Sequence, residues 1–214
     1  SRVSIGLTLC LVLLTVGALG INTTSIAAIL GAGAMAVGMA LSGTMENFAG
    51  GLIILSVKPF KAGDYIAVQD YSGTVTDVNI VSTKILTPDN RTIVIPNGLL
   101  SNGTIDNYSL RTTRRLEWKV SIEYGSDAAG CIALMEEIVK SDSRVLQEGA
   151  PGAKEAPYAV LAELGDSGIV ISMRAWVNKD DYWGLYYDIN KRLYEQLPPN
   201  GYPFAFPHMD VTMR

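Results

Sequence analysis

The sequence predicts an apolar membrane-helical segment followed by an α+β part, made of a small all-β module and then an α/β domain. Three observations carry this. No Asp, Glu, Lys or Arg occurs between Arg2 and Glu46, and each crossing of a hydrocarbon core needs about 20 apolar residues, so the run suits two spans. Residues 64–108 alternate in character and are rich in Val, Ile and Thr, as half-buried strands require. From Arg115 the pattern becomes strand, helix, strand, strand, helix. The expected boundaries are 1–57 for the membrane helices, 58–108 for the β module, 109–207 for the α/β domain and 208–214 for a terminal strand.

"VSIGLTLCLVLLTVGALGI" is the first span, "NTT" at 22–24 a polar turn, and the second span runs from Thr24 to Ser42. A secretory signal also fits Arg2 followed by an apolar run to Gly20, but it leaves the second uncharged span unexplained. Arg2 precedes the first span and Lys58 and Lys61 follow the second, with no basic residue at the turn. Positive charge stays inside, which places both ends of the chain in the cytoplasm. The chain begins at Ser1 rather than Met, as a piece of a longer protein with further spans upstream would.

"GAGAMAVGMALSG", residues 31–43, holds four glycines and two long side chains four residues apart, Met35 and Met39. Gly31 to Ala36 matches G-x-G-x-x-A, a dinucleotide fingerprint. That site also needs an acidic residue about 20 positions on, where "GGLIILSV" has none. On a helix, Ala28, Gly31, Met35, Met39 and Ser42 share one face. Gly33, Ala34, Ala36, Gly38 and Ala40 flank it and allow close backbone approach in lipid. By pattern alone, a helix simply packed in a bundle is the commoner reading, since small-residue packing is widespread among transmembrane helices. Gly43 reads as a helix end or a bend. In "MENFAGGLIILSV", Glu46, Asn47 and Gly50 share one face and Phe48, Leu52 and Leu55 another, the division of an interfacial helix. "PFKAGDY", with Pro59 and Gly63, is the turn into the β module.

Within the β module, Asp70-Tyr71-Ser72-Gly73 and Thr87-Pro88-Asp89-Asn90 are turn signals, separating about five short strands. Beyond it, "RLEWKVSIEY" is a strand and "SDAAGCIALMEEIVKSD" a helix capped by Ser126 or Asp127. "YAVLAELGD" and "SGIVISMRAWV" are strands joined at Gly165–Gly168, and "DDYWGLYYDINKRLYEQL" is a helix stopped by Pro198 and Pro199. This β-α-β-β-α order lacks only a last strand for a ferredoxin-like fold, and residues 202–214 can supply it.

The net charge of −4 falls wholly after residue 57, because Arg2 and Glu46 cancel. An acidic part of this kind argues against nucleic acid as a partner. Cys10 and Cys131 imply no disulfide framework or zinc cluster. His208 is the only histidine, so no His-based metal site and no Ser–His–Asp logic beyond that residue can be built. No cofactor and no enzymatic activity are indicated.

"LGAGAMAVGMALSGTMENFAGG", "KPFKAGDYI", "GTVTDVNIVSTKILTPDNRTIVIPNG" and "FPHMDVTM" together resemble the family of the mechanosensitive channel of small conductance, MscS. The likeness runs from Thr23 to Arg214. It implies a multi-pass protein of the bacterial inner membrane that assembles as a homoheptamer, with membrane lipids as its other partner. The last transmembrane helix of each copy lines one pore. An Sm-like β barrel and a ferredoxin-like domain form a hollow cytoplasmic cage, and "MDVTM" from seven copies closes its base as a parallel barrel. Ala28, Gly31 and Ser42 then line the pore, and Met35 and Met39 form two apolar rings that gate by dewetting. The family commonly carries leucine there, and methionine is the more flexible side chain. Ala34 stands where the best-known members have glycine. Gly33, Ala34, Ala36 and Gly38 serve helix packing, Gly43 a kink, and Glu46 lies at the cytoplasmic mouth. The implied function is opening by membrane tension to release ions and small solutes on hypo-osmotic shock. The alternative is a family member gated mainly by a cytoplasmic ligand or partner, and a third is a non-conducting membrane scaffold.

Overall fold

The computed structural model describes residues 2–20 and 24–207. Most of the polar turn at 22–24, His208 and the strand expected over 208–214 lie outside the described residues. The chain forms two compact units, Ser1–Asn107 and Tyr108–Arg214.

The first unit begins with helix α1 (Arg2–Ala18) and helix α2 (Thr24–Val57), of 17 and 34 residues. Among the described residues, α2 is the helix long and apolar enough to cross a membrane. At 1.5 Å per residue it spans about 50 Å, well beyond the ~30 Å hydrocarbon core, so part of it must project. It runs unbroken through Gly43, which corrects the reading of that glycine as a helix end. Glycine costs about 1 kcal/mol of helix propensity. The residues after it pack against the rest of the unit, and tertiary packing supplies most helical stability in folded chains.

Five strands follow: β1 (Tyr65–Val68), β2 (Tyr71–Val78), β3 (Ser82–Leu86), β4 (Thr92–Pro96) and β5 (Asp106–Asn107), antiparallel in the order β4-β3-β2-β1-β5. A short helix, α3 (Asn97–Asn102), lies between β4 and β5 and was not anticipated. The first turn falls earlier than its Gly signal suggested. Val68 pairs with Tyr71, so Gln69 and Asp70 make the turn, with Gln69 at φ 52°. Gly73 lies inside β2, where a Cβ would come 2.5 Å from the Leu86 carbonyl oxygen, so it serves strand approach instead. The long run "SGTVTDVNIVSTKIL" is two strands, turned at Asn79–Val81, with the Asn79 N–H donating to the Ser82 carbonyl at 2.9 Å. The core of this unit contains Phe60, Ile66, Val68, Val75, Ile85, Ile95 and Leu100, together with Ile54 from α2.

The second unit runs β6 (Thr113–Ile122), α4 (Ala128–Lys140), β7 (Val145–Leu146), β8 (Tyr158–Leu164), β9 (Ile169–Asn178) and α5 (Tyr182–Gln196). Asp127 caps α4 by accepting from the Ala129 N–H at 3.1 Å, one of the two caps expected. β9 pairs antiparallel with β6 along its whole length and, on its other side, with β8 and β7. Alternate residues of β6 and β9, among them Leu116, Trp118, Ile171 and Met173, meet Met135, Leu185 and Ile189 of the helices in one core. The buried Trp118 indole N–H donates to the Tyr186 carbonyl at 3.2 Å. Phe204 bridges antiparallel to Ile122 on the free edge of β6, and the Ala205 N–H donates to the Ser121 carbonyl at 2.9 Å.

Candidate functional site

From Thr24 to Glu46, every residue of α2 is exposed in the single chain. Met35 and Met39 are 66% and 64% exposed, one turn apart on the same stripe as Ala28, Gly31 and Ser42. Among the described residues, nothing lies within 4 Å of a Cβ added at Gly31, Gly33, Gly38 or Gly43. Ala34, Ala36 and Ala40 are exposed beside them. The stripe is therefore brought together by one helix, and none of the described residues of its own chain covers it. Contiguous apolar exposure on this scale marks an interaction surface.

The other end of α2 is docked. Gly50, Gly51 and Ile54 are buried. A Cβ on Gly51 would stand 1.8 Å from the Ile80 carbonyl oxygen, and one on Gly50 would stand 2.6 Å from the Asn97 carbonyl oxygen. Both positions admit only hydrogen. α3 starts after Pro96 with no side-chain cap of its own, which leaves early N–H groups without intrahelical partners. Asn47 supplies one partner from α2, its Oδ1 accepting from the Gly98 N–H at 2.9 Å. The Glu46 carboxylate accepts from the Asn102 amide at 2.8 Å. The face that carries Glu46, Asn47 and Gly50, read from the sequence as the polar side of an interfacial helix, thus meets α3.

The elbow after α2 is tied on both sides. Lys58 turns the chain at φ 53°, and its N–H still donates to the Ile54 carbonyl at 2.8 Å. Gly63 sits at φ 94°, where glycine has no steric cost. The Asp64 carboxylate accepts from the Lys61 N–H at 3.1 Å and the Asn107 amide at 3.0 Å, and that amide also reaches the Pro59 carbonyl at 3.0 Å.

Several charges of the second unit are engaged in its own fold. Arg144 bonds Asp142 at 2.9 Å and Asp188 at 2.8 Å, joining the end of α4 to α5. The hydrogen bonds from Arg144 hold the Asp142 carboxyl below its ordinary range. Burial pushes the Cys131 thiol up to about 11, and Asp127 adds to it, so the thiolate form is scarce at neutral pH.

Sequence reasoning missed Gly51, Ile54, Asn97 and Gly98 as parts of this arrangement. The Gly50–Gly51 pair and the Pro96-Asn97-Gly98 triplet were the available signals, but neither names its partner.

Two family models match this chain. One, described as "Mechanosensitive ion channel, beta-domain", covers residues 43–110. The other, "Mechanosensitive ion channel MscS, C-terminal", covers 116–201. An uncharacterized MscS family protein of Buchnera aphidicola subsp. Baizongia pistaciae is 34% identical over 201 residues, 94% of this chain and 69% of that protein. A small-conductance mechanosensitive channel of Edwardsiella ictaluri is 35% identical over 182 residues, 85% of this chain and 62% of that one. Among solved structures, Helicobacter pylori MscS in its closed state superposes with a TM-score of 0.84 at 26% identity, covering all of this chain and 83% of that one. Arabidopsis thaliana MSL1 gives 0.77 at 21% identity, covering 96% of this chain and 74% of that one, a likeness of fold.

Proposed function

The chain belongs to the MscS family of mechanosensitive ion channels, and from that premise we propose that α2 lines the pore of a homo-oligomer, a heptamer, opened by membrane tension to release ions and small solutes on hypo-osmotic shock. The observation that carries this is the wholly exposed stripe Ala28–Gly31–Met35–Met39–Ser42 on a helix whose other end is anchored in the β sheet. Copies of α2 packed through Gly33, Ala34, Ala36 and Gly38 turn that stripe toward a common axis, with close backbones favoured by small residues. Rings of Met35 and Met39 then form a narrow apolar constriction, which excludes water without a plug. Tension shifts the population only through a difference between the states in membrane area or lipid contact.

In this reading residues 1–57 lie in and at the bacterial inner membrane, as part of a multi-pass protein. Residues 58–108 form an Sm-like barrel and 109–207 a ferredoxin-like domain in the cytoplasm. The strand order β6-β9-β8, with Phe204 on the free edge of β6, supports the ferredoxin-like assignment. Gly43 provides the bend of α2 during gating, and Glu46 lies at the pore mouth beside α3. The Helicobacter pylori structure that this chain superposes on is a closed state, and we take the same state for this chain.

Patch recording under suction tests the gate. Met35→Ser and Met39→Ser place a hydroxyl in the constriction and lower the tension needed to open, with slowed growth on expression. Wild-type opening tension in both variants would remove these residues from the pore wall.

A further inference from the structure

We propose that Asn97 is the positioning residue that sets where the docked end of α2 rests, and so biases the closed state of the channel. This rests on the channel reading above. Asn97 and its partner Thr83 are both 0% exposed. The Asn97 side-chain Nδ2–H donates to the Asn79 carbonyl at 2.8 Å, and its Oδ1 accepts from the Thr83 hydroxyl at 2.8 Å. Its main-chain N–H donates to the Val81 carbonyl at 3.1 Å. One residue therefore holds the turn between β2 and β3 at Asn79, Val81 and Thr83, while opening α3.

That turn is the floor on which α2 lies. Gly51 rests against the Ile80 carbonyl and the Asn97 amide, and Gly50 rests against the Asn97 carbonyl. The carbonyl that excludes any side chain at position 51 sits between the two turn atoms that Asn97 binds. Orientation of the amide is dictated by its partners, because the Asn79 carbonyl can only accept. A carboxylate at 97 would set an oxygen against that carbonyl in a fully buried site, where an unmade hydrogen bond is costly. The turn would then move, and with it the seat of Gly51. α2 is continuous from this seat to the methionine rings, so a loosened seat shifts population away from the state that needs it.

The test uses the full chain in lipid vesicles and in membrane patches. Asn97→Asp is expected to speed amide hydrogen exchange over residues 79–82 about tenfold, as loss of one buried hydrogen bond implies, and to leave β6 and β9 unchanged. It also lowers the suction at half-opening. Thr83→Val, an isostere without the hydroxyl, moves both readouts in the same direction, and Thr83→Ser restores them. Because Thr83→Val reaches the same joint, it decides the matter even where Asn97→Asp does not assemble. Unchanged exchange at 79–82 overturns the positioning role. Raised exchange with half-opening at wild-type suction overturns the link to gating. A silent wild-type channel would instead refute the channel reading, while the exchange data still decide whether Asn97 holds the seat.

Discussion

Gly38 and Gly51 belong to the same helix, yet a methyl group added to each meets different surroundings. At Gly38 it meets open space, as at Gly31, Gly33 and Gly43. At Gly51 it strikes the Ile80 carbonyl. The upstream glycines leave room for something outside the chain, and the downstream pair closes a contact within it. The same residue type thus leaves α2 open in one half, where the proposed assembly would place a neighbouring helix, and closes a contact of the fold in the other. The exposed half carries the proposed gate and the buried half fixes where it hangs.

The sharpest break of this comparison is Gly51→Val. No rotamer relieves a Cβ placed against a backbone oxygen, and the cost is about 3 kcal/mol, the upper range for overpacking. Thermal unfolding of the purified protein should show the first unit lost or its melting point lowered, with the second unit unaffected. An unchanged melting point would mean that α2 is not seated on the turn. Gly38→Leu is expected to act the opposite way. It should raise the unfolding free energy of a single chain by up to about 1 kcal/mol, because leucine is the better helix former, yet cut the yield of oligomer or block opening. Oligomer yield and suction response equal to wild type would move the helix contact to another face.

Asn47→Ala has a smaller effect and tests the cap that α2 lends to α3. Loss of a cap costs about 1 kcal/mol, read as a lowered midpoint in urea for the first unit; no change would mean that water replaces Asn47 at no cost. The smallest effect belongs to the second unit and checks that the others are local. Asp142 is held below its ordinary 3.8, chiefly by Arg144. Its stabilising contribution is therefore full above that ordinary value and is lost as pH falls through the lower folded value. The melting point of the second unit should hold steady from about pH 5 to 8 with respect to this group and decline below about pH 4, and Asp142→Asn should flatten that decline. An identical acid profile in Asp142→Asn would exclude the Arg144 pair as its source.

Much of the molecule was legible because its signals are local. Absence of charge from Val3 to Met45 specifies apolar helices, since no backbone polar group is left unpaired in lipid when the chain is helical. Alternation gave β1 to β4, and the 3.6-residue spacing gave α4 and α5, with Asp127 where a cap belongs. The methionine stripe follows from the helical period alone. Other features had no local signal. Gln69 takes a positive φ because the pairing of Val68 with Tyr71 leaves two residues to reverse the chain, while Gly73, the apparent turn residue, is needed where Leu86 passes. The short elements α3 and β7 fall below the length at which periodicity can be counted.

Composition and period by themselves determined that this chain has long apolar helices, a small β module and an α/β domain, because each depends on neighbours a few positions away. Tertiary structure decided which glycines are occupied and how far α2 continues. Those outcomes depend on the Ile80 and Asn97 carbonyls, 29 and 47 positions from the glycines they meet, and on Ile54 joining a core built by strands that follow it. A contact between residues so far apart in the chain arises only when the sheet that carries one of them has folded beneath the other.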